Sequence, residues 1–471
     1  MYPDDGDDHH LDPVSRTGVL VERLRTAEPR MLLAAALALT GIYLTARGLR
    51  ESTHELAAVG AAGLLAARGI ARARPLSTRH IVLAALCVIA ARFLYLDHHF
   101  TLAMVATVLA GASPVLPLPP PPPGTPLERR HVWALVDGTS RDALAPFALR
   151  SDKAYVFSPN GLAAVAYRVR FGTAVASADP IGDPASRDAA IAEFIAAAEA
   201  NGWRPAVLGS AESQLHRWQA HGLRAVPIGR EVIIDVGTFA LTGRRFRNLR
   251  QAVQRTHNFG VTTEVLVEAS LSPTQRAELE DVVRRSRGTT QPRGFAMILD
   301  QVLTGMHPGV FINVARDRDG CVVAVQRVAS ADAGRELSMD VTWRLPDAPN
   351  GTEERLTTDV IAWAREHGAE RVSLAFAAFP ELFAMTHRNP LQQLTYWTVR
   401  RLDRFVKLES LYRYLRKFHS FGARRYVALR PLDVVIVAAS LLTLEFGPVR
   451  TSRRGWDRLR GKRSVHTAVD D

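Results

Sequence analysis

Residues 152–183 read DKAYVFSPNGLAAVAYRVRFGTAVASADPIGD and contain three short apolar runs separated by turn residues. The first two runs, 154–157 and 163–169, flank the turn Ser158-Pro-Asn-Gly161. A third run, 174–178, ends before an Asp-Pro pair. Aromatic and β-branched residues between such turns are typical of β-strands. The stretch therefore predicts three strands at the start of a mixed α/β region.

A helix and a second, similar set of elements follow this stretch. Residues 187–201 carry apolar side chains at helical spacing and end at an Asn-Gly stop, which predicts an amphipathic helix. Further elements are predicted as strands near 310–315, 322–328, 337–341 and 371–376, with a helix at about 354–367. The sequence therefore predicts two successive α/β units, 131–290 and 291–448.

The N-terminal part has a different composition. Residues 1–30 are predicted to be a disordered tail, whereas residues 31–118 are runs of Ala, Leu, Val and Ile broken by short basic or polar pieces. Four membrane helices are predicted, each near the lower length limit for a span: 31–46, 56–71, 81–96 and 100–116. Because Arg68 interrupts the second run, three spans plus an interfacial helix are the alternative.

Charge asymmetry predicts the topology of these spans. Basic residues cluster before the first span and between the second and third: Arg16, Arg23, Arg25, Arg30, Arg68, Arg72, Arg74 and Arg79. By the positive-inside rule, the C-terminal part then faces the cytosol and the protein is a multi-pass protein of the inner (plasma) membrane. No small-residue cleavage site follows the first apolar run, so this segment is expected to remain in the mature chain.

Two further segments bound the α/β region. Residues 119–130 are predicted to be a Pro-rich linker, beginning with five consecutive prolines. Residues 449–471 form a basic tail that is either solvated or in contact with anionic lipid. The apolar run 434–444 before the tail is short for a span, which predicts a packed or an interfacial helix.

Composition and short motifs disfavour several classes of function. The formal net charge of +12 comes mainly from arginine and fits an anionic partner as well as it fits a high-GC genome. The two cysteines, Cys87 and Cys321, predict neither a disulfide framework nor a metal cluster. The sequence has no zinc spacing, Walker loop, GxSxG elbow or Rossmann fingerprint, which disfavours metallohydrolases, NTPases, serine hydrolases and dehydrogenases. One match to an acyl-CoA loop, at 291–296, contains a proline and follows no clear strand, which favours chance.

Two concentrations of basic residues indicate phosphate binding. If residues 241–257 are helical, Arg244, Arg247 and Arg255 project from one face and Arg250 lies at its edge. The segment has no acid, so a phosphate-binding surface is predicted in preference to a merely solvated one. In residues 400–430, Lys and Arg alternate with aromatic residues, which suits a nucleic-acid end or a lipid headgroup.

Several boxes, none specific alone, follow one another in a family's order. They are Asp152-Lys153, Phe157-Ser-Pro-Asn-Gly161, Tyr167-Arg168, Asp179-Pro-Ile-Gly-Asp183, Gly229-Arg-Glu231 with Asp235, Leu241-Thr-Gly243, Leu249-Arg250, Arg293-Gly-Phe295, Met339-Asp340, Pro346-Asp-Ala-Pro-Asn-Gly351, Glu354, and Glu409 sixteen residues before Arg425. Over about 140–445 this ordered set resembles the C-terminal domain of the multiple peptide resistance factor family, the phosphatidylglycerol lysyltransferases.

The resemblance implies an α/β fold of two acetyltransferase-like (GNAT-type) units in tandem, here preceded by a helical membrane domain. It implies transfer of an aminoacyl group, lysyl in the family, from aminoacyl-tRNA to a glycerol hydroxyl of phosphatidylglycerol, with no cofactor. The aminoacyl ester is already activated, so the enzyme must position the hydroxyl, assist its deprotonation and stabilise the oxyanion.

The same resemblance assigns the site residues. Asp340, Glu409 and Arg425 are expected to line the catalytic centre, where the acids orient the ammonium group or the hydroxyl and the arginine holds a phosphate or the oxyanion. The predicted substrate-binding residues are Glu231, Asp235, Arg244, Arg247, Arg250, Arg344, Glu354 and Lys417. No metal ligands are predicted.

The chain departs from the family's pattern in two places. The family continues from the aspartate as Leu-Met-Arg, whereas Val341-Thr342-Trp343 precede Arg344 here. Gln291-Pro292 stands where the family often has an acid before its Gly-Phe box. Two alternatives therefore stay open: a non-catalytic membrane protein that binds anionic lipid or tRNA, and an acyl-CoA-dependent N-acyltransferase.

Overall fold

The structure is a computed structural model that describes residues 27–71, 78–113, 116–287, 294–378 and 408–446. The predicted tail 449–471, most of the tail 1–30, residues 291–293 of the acyl-CoA match and residues 400–407 of the second basic segment lie outside the described residues. The chain forms two compact units, Met1–Pro119 with Ala196–Trp203, and Pro120–Ile195 with Arg204–Asp471.

The N-terminal unit contains four helices, α1 (Ala27–Arg50), α2 (His54–Ala71), α3 (Thr78–Leu96) and α4 (Phe100–Ala112). Among the described residues, Met31–Arg50 and Arg79–Leu96 are long and apolar enough to cross a membrane, and α4 is apolar but shorter. A Cβ atom added at Gly41 would lie 2.8 Å from the Gly60 carbonyl oxygen, so α1 and α2 approach closely at glycines. All four predicted helices are therefore present, and two satisfy the requirements for a span.

The second unit begins inside the segment predicted as a linker. Helix α5 (Pro126–Asp137) starts four residues before the predicted end of the linker at 130. Thr125 accepts a hydrogen bond from the Glu128 amide at 3.2 Å, and the Glu128 carboxylate accepts one from the Thr125 amide at 2.6 Å. This capping box, with Pro126 in the first turn, explains why the helix begins there.

The second unit is built on one twelve-stranded sheet. Its strands are β1 (Ala154–Phe157), β2 (Ala163–Arg170), β3 (Thr173–Ser177), β4 (Ile181–Gly182), β5 (Arg204–Ala211), β6 (Arg224–Asp235), β7 (Thr262–Val267), β8 (Val310–Arg316), β9 (Val322–Ala331), β10 (Glu336–Arg344), β11 (Arg371–Ala378) and β12 (Phe421–Leu429). The order is β1-β2-β3-β5-β12-β6-β11-β10-β9-β8-β7, and β4 pairs with β2. The predicted mixed α/β fold is confirmed.

The remaining helices are α6 (Arg187–Ala200), α7 (Leu215–Gln219), α8 (Arg247–Asn258), α9 (Pro273–Arg287), α10 (Thr352–Glu366), α11 (Leu408–Leu415) and α12 (Val434–Phe446). Helix α6 connects β3 to the parallel strand β5, and α10 connects β10 to the parallel strand β11. Each antiparallel set of strands is thus followed by one helical crossover.

The two sets exchange their closing strands. Strand β6, from the first half of the chain, pairs with β11 of the second, and β12 at the end of the chain pairs with β5 of the first. β6 and β12 also pair with each other, so the middle of the sheet joins segments that are far apart in sequence. This exchange places Arg425 on β12 beside Gly229 on β6.

Candidate functional site

The candidate site lies where β6, β11 and β12 meet. The pairing register shifts between Arg425 and Tyr426 on β12, and between Ser373 and Phe376 on β11. Such irregularities bend a strand and redirect its side chains, and they are common beside functional sites. Here they accompany a buried cluster of charged residues.

Arg425 is the centre of this cluster, and its side chain is only 2% exposed. Its Nε lies 2.5 Å from Glu231 Oε1, its Nη2 lies 2.9 Å from Asp142 Oδ1, and its Nη1 lies 3.8 Å from Asp179 Oδ2. Burial lowers the pKa of Arg425, but the charges of the three carboxylates outweigh burial, so the pKa is raised. The guanidinium is a fixed cation that three acids surround.

Asp179 is held in place from several sides. Its carboxylate accepts hydrogen bonds from Ser210 Oγ at 2.7 Å, the Ala211 amide at 2.7 Å and Trp218 Nε1 at 2.9 Å. Burial, together with the nearby charge of Asp142, raises the pKa of Asp179, while Arg425 opposes the shift. These hydrogen bonds hold the Asp179 carboxylate in place beside the Arg425 guanidinium.

A pocket of about 790 Å³ opens beside Arg425. Its described lining contains six carboxylates against three guanidinium groups: Glu212, Glu231, Asp235, Asp332, Glu336 and Glu370, with Arg141, Arg371 and Arg425. Ser140 and Ser213 add two hydroxyl groups. An excess of acids in a cleft concentrates cations, so this pocket suits a ligand that carries ammonium groups.

The acids of the pocket differ in environment. Glu336 Oε1 lies 2.7 Å from Arg371 Nη1 and accepts the Arg141 amide at 2.8 Å, yet burial still raises the pKa of Glu336. Asp235 is exposed at the end of β6, and hydrogen bonds from the Thr238 amide and hydroxyl lower the pKa of Asp235. The pocket thus offers both an ionised carboxylate and one that is more readily protonated.

Asp340 lies in a different environment from the one expected of it. The ladder between β9 and β10 shifts register between Met339 and Thr342, which turns Asp340 toward Arg327 at 2.5 Å. Both side chains are 0% exposed, and Asp340 also accepts the Leu299 amide at 3.2 Å. Burial raises the pKa of Asp340 against the charge of Arg327. Asp340 is not in the described lining of the pocket.

The predicted basic stripe is present in part: α8 begins only at Arg247, so Arg244 lies in the loop before the helix. Arg244 and Arg247 are exposed before and at the start of this helix, and their side chains form no ion pair with a described residue. Arg250 instead donates to the carbonyl oxygens of Leu241 at 3.0 Å and Gly243 at 2.6 Å. Arg250 therefore holds the loop before α8, while Arg244 and Arg247 face outward.

Three other predicted residues lie around the start of α10. Arg344 Nε is 3.4 Å from Glu353 Oε1, and Lys417 Nζ is 2.5 Å from Glu354 Oε1. None of the predicted trio Arg344, Glu354 and Lys417 lines the pocket among the described residues. The backbone of Glu409 belongs to α11, but its side chain lies outside the described residues.

The structure thus brings Glu231, Asp235 and Arg425 together at the pocket. The other predicted residues whose side chains are described do not line it: Asp340, Arg244, Arg247, Arg250, Arg344, Glu354 and Lys417. It adds pocket residues that sequence reasoning missed, among them Arg141, Glu336 and Arg371. Glu336 and Arg371 are the first residues of two paired parallel strands, so charged residues opening apolar strands were the available signal. Among the described residues, no three His, Cys, Asp or Glu side chains are placed to hold a metal ion.

Comparisons with known proteins show the family of the chain. The model of the family described as phosphatidylglycerol lysyltransferase, C-terminal, matches residues 134–429. The MprF-like domain protein Rv1619 of Mycobacterium tuberculosis is 45% identical over 392 residues, which cover 82% of this chain and 80% of that protein. The lysylphosphatidylglycerol biosynthesis bifunctional protein LysX of Mycobacterium sp. (strain KMS) is 33% identical over 326 residues, 65% of this chain but only 29% of LysX.

Two solved structures have the same fold. A lysylphosphatidylglycerol synthetase C-terminal domain (DUF2156) from Agrobacterium fabrum superposes with a TM-score of 0.59 at 24% identity, covering 69% of this chain and 99% of that one. L-PGS from Bacillus licheniformis gives a TM-score of 0.58 at 22% identity, with 69% and 98% coverage. At these identities the two structures establish the fold of the second unit.

Proposed function

Since the chain belongs to the phosphatidylglycerol lysyltransferase C-terminal family and is therefore an aminoacyltransferase, we propose that it moves a lysyl group from aminoacyl-tRNA to phosphatidylglycerol at a membrane. The observation that carries this proposal is the pocket with six carboxylates and three arginines. A lysyl ester carries an α-ammonium and an ε-ammonium group, and the excess of acids complements both charges.

Glu231 and Asp235 are the proposed contacts for the ammonium groups. Asp235 is exposed and ionised, and Glu231 is oriented by Arg425 at 2.5 Å. Because three carboxylates already engage the Arg425 guanidinium, its proposed role is to position Glu231 rather than to bind an oxyanion. The role that the family resemblance implies for Arg425, holding a phosphate or the oxyanion, stays a prediction.

Arg141 is the proposed phosphate contact in the pocket. It is exposed, and its side chain forms no ion pair with a described residue, whereas Arg371 and Arg425 are both engaged by acids. A guanidinium without a carboxylate partner is free to bind a phosphate oxygen bidentately. The phosphodiester of the lipid or the phosphodiester that precedes the 3′-terminal nucleotide of tRNA supplies that group.

The reaction is an ester exchange. The lipid hydroxyl attacks the aminoacyl carbonyl, the bond to the tRNA ribose oxygen breaks, and the proton passes from the lipid hydroxyl to the departing oxygen. Glu336 is the proposed proton carrier, because burial raises its pKa toward the working range of a general base. No cofactor is required, since the incoming ester is already activated.

The remaining parts of the chain fit this reaction. The exposed arginines before and at the start of α8, Arg244 and Arg247, are the proposed contacts for the tRNA backbone. The N-terminal helices α1 and α3 are the proposed anchors of a multi-pass protein whose second unit faces the cytoplasm. The repeated order of antiparallel strands, crossover helix and parallel strand supports two acetyltransferase-like units in tandem.

The non-catalytic alternative rests on Asp340. Its side chain is sealed against Arg327, and Trp343 lies against the same guanidinium, 5.8 Å from its centre. A structural role for Asp340 accounts for both contacts without any chemistry. The acyl-CoA alternative has less support, because the described residues that precede residue 288 form helix α9 rather than a strand.

Lipid mass spectrometry tests the proposal. A host without aminoacylated lipids would express the unmodified chain, Glu231→Gln, or the control Asp319→Asn, whose exposed carboxylate lies in the turn between β8 and β9. We expect lysyl-phosphatidylglycerol with the unmodified chain and with the control, and a loss of at least tenfold with Glu231→Gln. Absence of any aminoacyl lipid despite expression in the membrane would favour the non-catalytic alternative.

A further inference from the structure

Helix α12 exposes an apolar surface that the reaction does not use. On one side, Val437 and Leu444 pack against Val175 of β3 and Leu208 of β5. Apart from the half-buried Thr443, the residues on the opposite side are apolar, and Val435 and the preceding Leu432 are 81% and 100% exposed. The full apolar arc is Leu432, Val434, Val435, Ile436, Ala438, Ala439 and Leu442.

A second element extends this surface. The turn between β2 and β3 carries Phe171, which is 54% exposed although its φ of 48° is rare for a bulky residue. Ser440 Oγ on α12 donates to the Arg170 carbonyl oxygen at 3.1 Å, so the turn lies beside the helix. We call Phe171 and the apolar arc together the α12 patch. Soluble surfaces rarely present such a contiguous apolar area without a partner.

The charges around the α12 patch are positive or neutralised. The Arg170 guanidinium lies over the Phe171 ring at 4.7 Å. Asp433 is paired with Arg204 at 3.0 Å, and Glu445 accepts the Ala296 amide at 3.0 Å. The sequence that follows α12 continues with seven basic residues and one tryptophan: Arg450, Arg453, Arg454, Trp456, Arg458, Arg460, Lys462 and Arg463. An apolar face that is followed in the sequence by a basic segment complements an anionic lipid surface.

We propose that the α12 patch docks the second unit onto an anionic lipid bilayer, with α12 lying in the interface. A helix of 13 residues is about 20 Å long, too short to cross the hydrocarbon core, so an orientation in the plane of the interface satisfies its apolar arc. The inference goes beyond the proposed function because it concerns a membrane contact separate from the N-terminal helices, and it rests on that function only for the presence of phosphatidylglycerol.

Depth-dependent quenching tests this contact. The full chain, with Cys87→Ala and Cys321→Ser, would carry a fluorescent NBD label at Val435→Cys and be reconstituted in nanodiscs of phosphatidylglycerol and phosphatidylcholine. The matched control places the label at Asp319→Cys. We expect doxyl-labelled lipid to quench the Val435 label at least threefold more than the Asp319 label, and aqueous iodide to do the reverse.

Three outcomes would overturn the proposal. Iodide quenching at Val435 equal to that at Asp319 would show a water-exposed helix. Protection from both quenchers would show that protein, such as a second copy of the chain, covers the patch. Unchanged quenching in phosphatidylcholine alone would remove the anionic lipid as the partner. Because quenching does not depend on catalysis, a docked chain that makes no aminoacyl lipid would leave this inference standing while the proposed function fails.

Discussion

Two buried arginines in the second unit have opposite surroundings. Arg425 is engaged by three carboxylates and lines an open pocket, whereas Arg327 meets the single carboxylate of Asp340 in a sealed cluster. The family resemblance pointed to both Asp340 and Arg425 as active-site residues. The two side chains therefore differ in their access to the pocket, although both belong to boxes of the family.

The ratio of acids to cations also differs between the two regions. One arginine cannot neutralise Glu231, Asp142 and Asp179, so negative charge remains beside the pocket. The Arg327 and Asp340 pair is balanced and leaves no charge to offer a ligand. A third buried cation, Lys153, is held by neutral acceptors. Its Nζ donates to the Phe147 carbonyl oxygen at 2.7 Å and to the Ser177 hydroxyl.

Removing the arginine of the open pocket should have the largest effect. Arg425→Ala would leave three carboxylates facing one another without a cation, and breaking buried pairs of this kind typically costs about 3–5 kcal/mol. Urea denaturation of the purified chain would measure the free energy of unfolding. The exposed Arg318→Ala is the control and should change it by less than about 0.5 kcal/mol. A change as small as the control's would show that the cluster is not coupled to Arg425.

Breaking the pair of Arg327 and Asp340 should lower the free energy of unfolding by less than the loss of Arg425 does. It should leave the transfer activity nearly unchanged. Asp340→Asn leaves Arg327 with the Asp300 carbonyl oxygen at 3.3 Å and the Leu299 carbonyl oxygen as acceptors, so we expect a loss of about 2–3 kcal/mol. The double variant Arg327→Met with Asp340→Leu should recover most of that loss. Activity per folded molecule should stay within about threefold of the unmodified chain. A loss of activity with stability restored would return Asp340 to the catalytic centre.

Lys153 should make the free energy of unfolding depend on pH. Burial, with the nearby charge of Arg150, lowers the pKa of Lys153 from its ordinary 10.5 to about 7. Between these values the unfolded chain binds more protons, so this residue makes the free energy of unfolding rise with pH by at most about 1.4 kcal/mol per pH unit. Lys153→Met should flatten the stability profile between about pH 7 and 10.5. An unchanged profile would show that Lys153 titrates normally.

The exposed Arg244 and Arg247, before and at the start of α8, should contribute least to the free energy of unfolding. The double variant Arg244→Ala with Arg247→Ala should change the free energy of unfolding by less than about 0.5 kcal/mol, because neither side chain pairs with a described residue. It should nevertheless weaken tRNA binding and make the dependence of binding on salt less steep by roughly one to two phosphate contacts. Filter binding across a salt series measures both quantities. An unchanged salt dependence would move the tRNA surface elsewhere.

Local patterns predicted many of the strands and helices, but not β5, β7 or the arrangement of the sheet. The strands β1, β2 and β3, the helix α6 and the second set of strands follow from turn residues and apolar spacing. Strand β12 was obscured by its arginines, since the segment was interpreted as a basic surface. Its pairing with β5 and β6 could not be predicted, because the partners are about 200 residues apart and no local signal specifies the exchange.

The residues of the site could also be predicted only in part, because local patterns do not specify which distant segments meet. Glu231, Asp235 and Arg425 come from ordered boxes, and the structure brings them to one pocket. Arg141, Glu336 and Arg371 come from separate elements and meet there only through folding. Asp340 illustrates the converse, because its box is present while an irregularity in β10 turns its side chain toward Arg327.

The acid-rich pocket is proposed to bind an aminoacyl group that carries two ammonium groups. The direct measurement is kcat/KM for transfer to phosphatidylglycerol vesicles from lysyl-tRNA and from alanyl-tRNA, with the unmodified chain, Asp235→Asn and the control Asp319→Asn. Because Asp235 is the proposed contact of the ε-ammonium group, which an alanyl group lacks, Asp235→Asn should lower the lysyl value by about tenfold and the alanyl value by less than about threefold. An equal loss for both donors, or no loss for either, would contradict it.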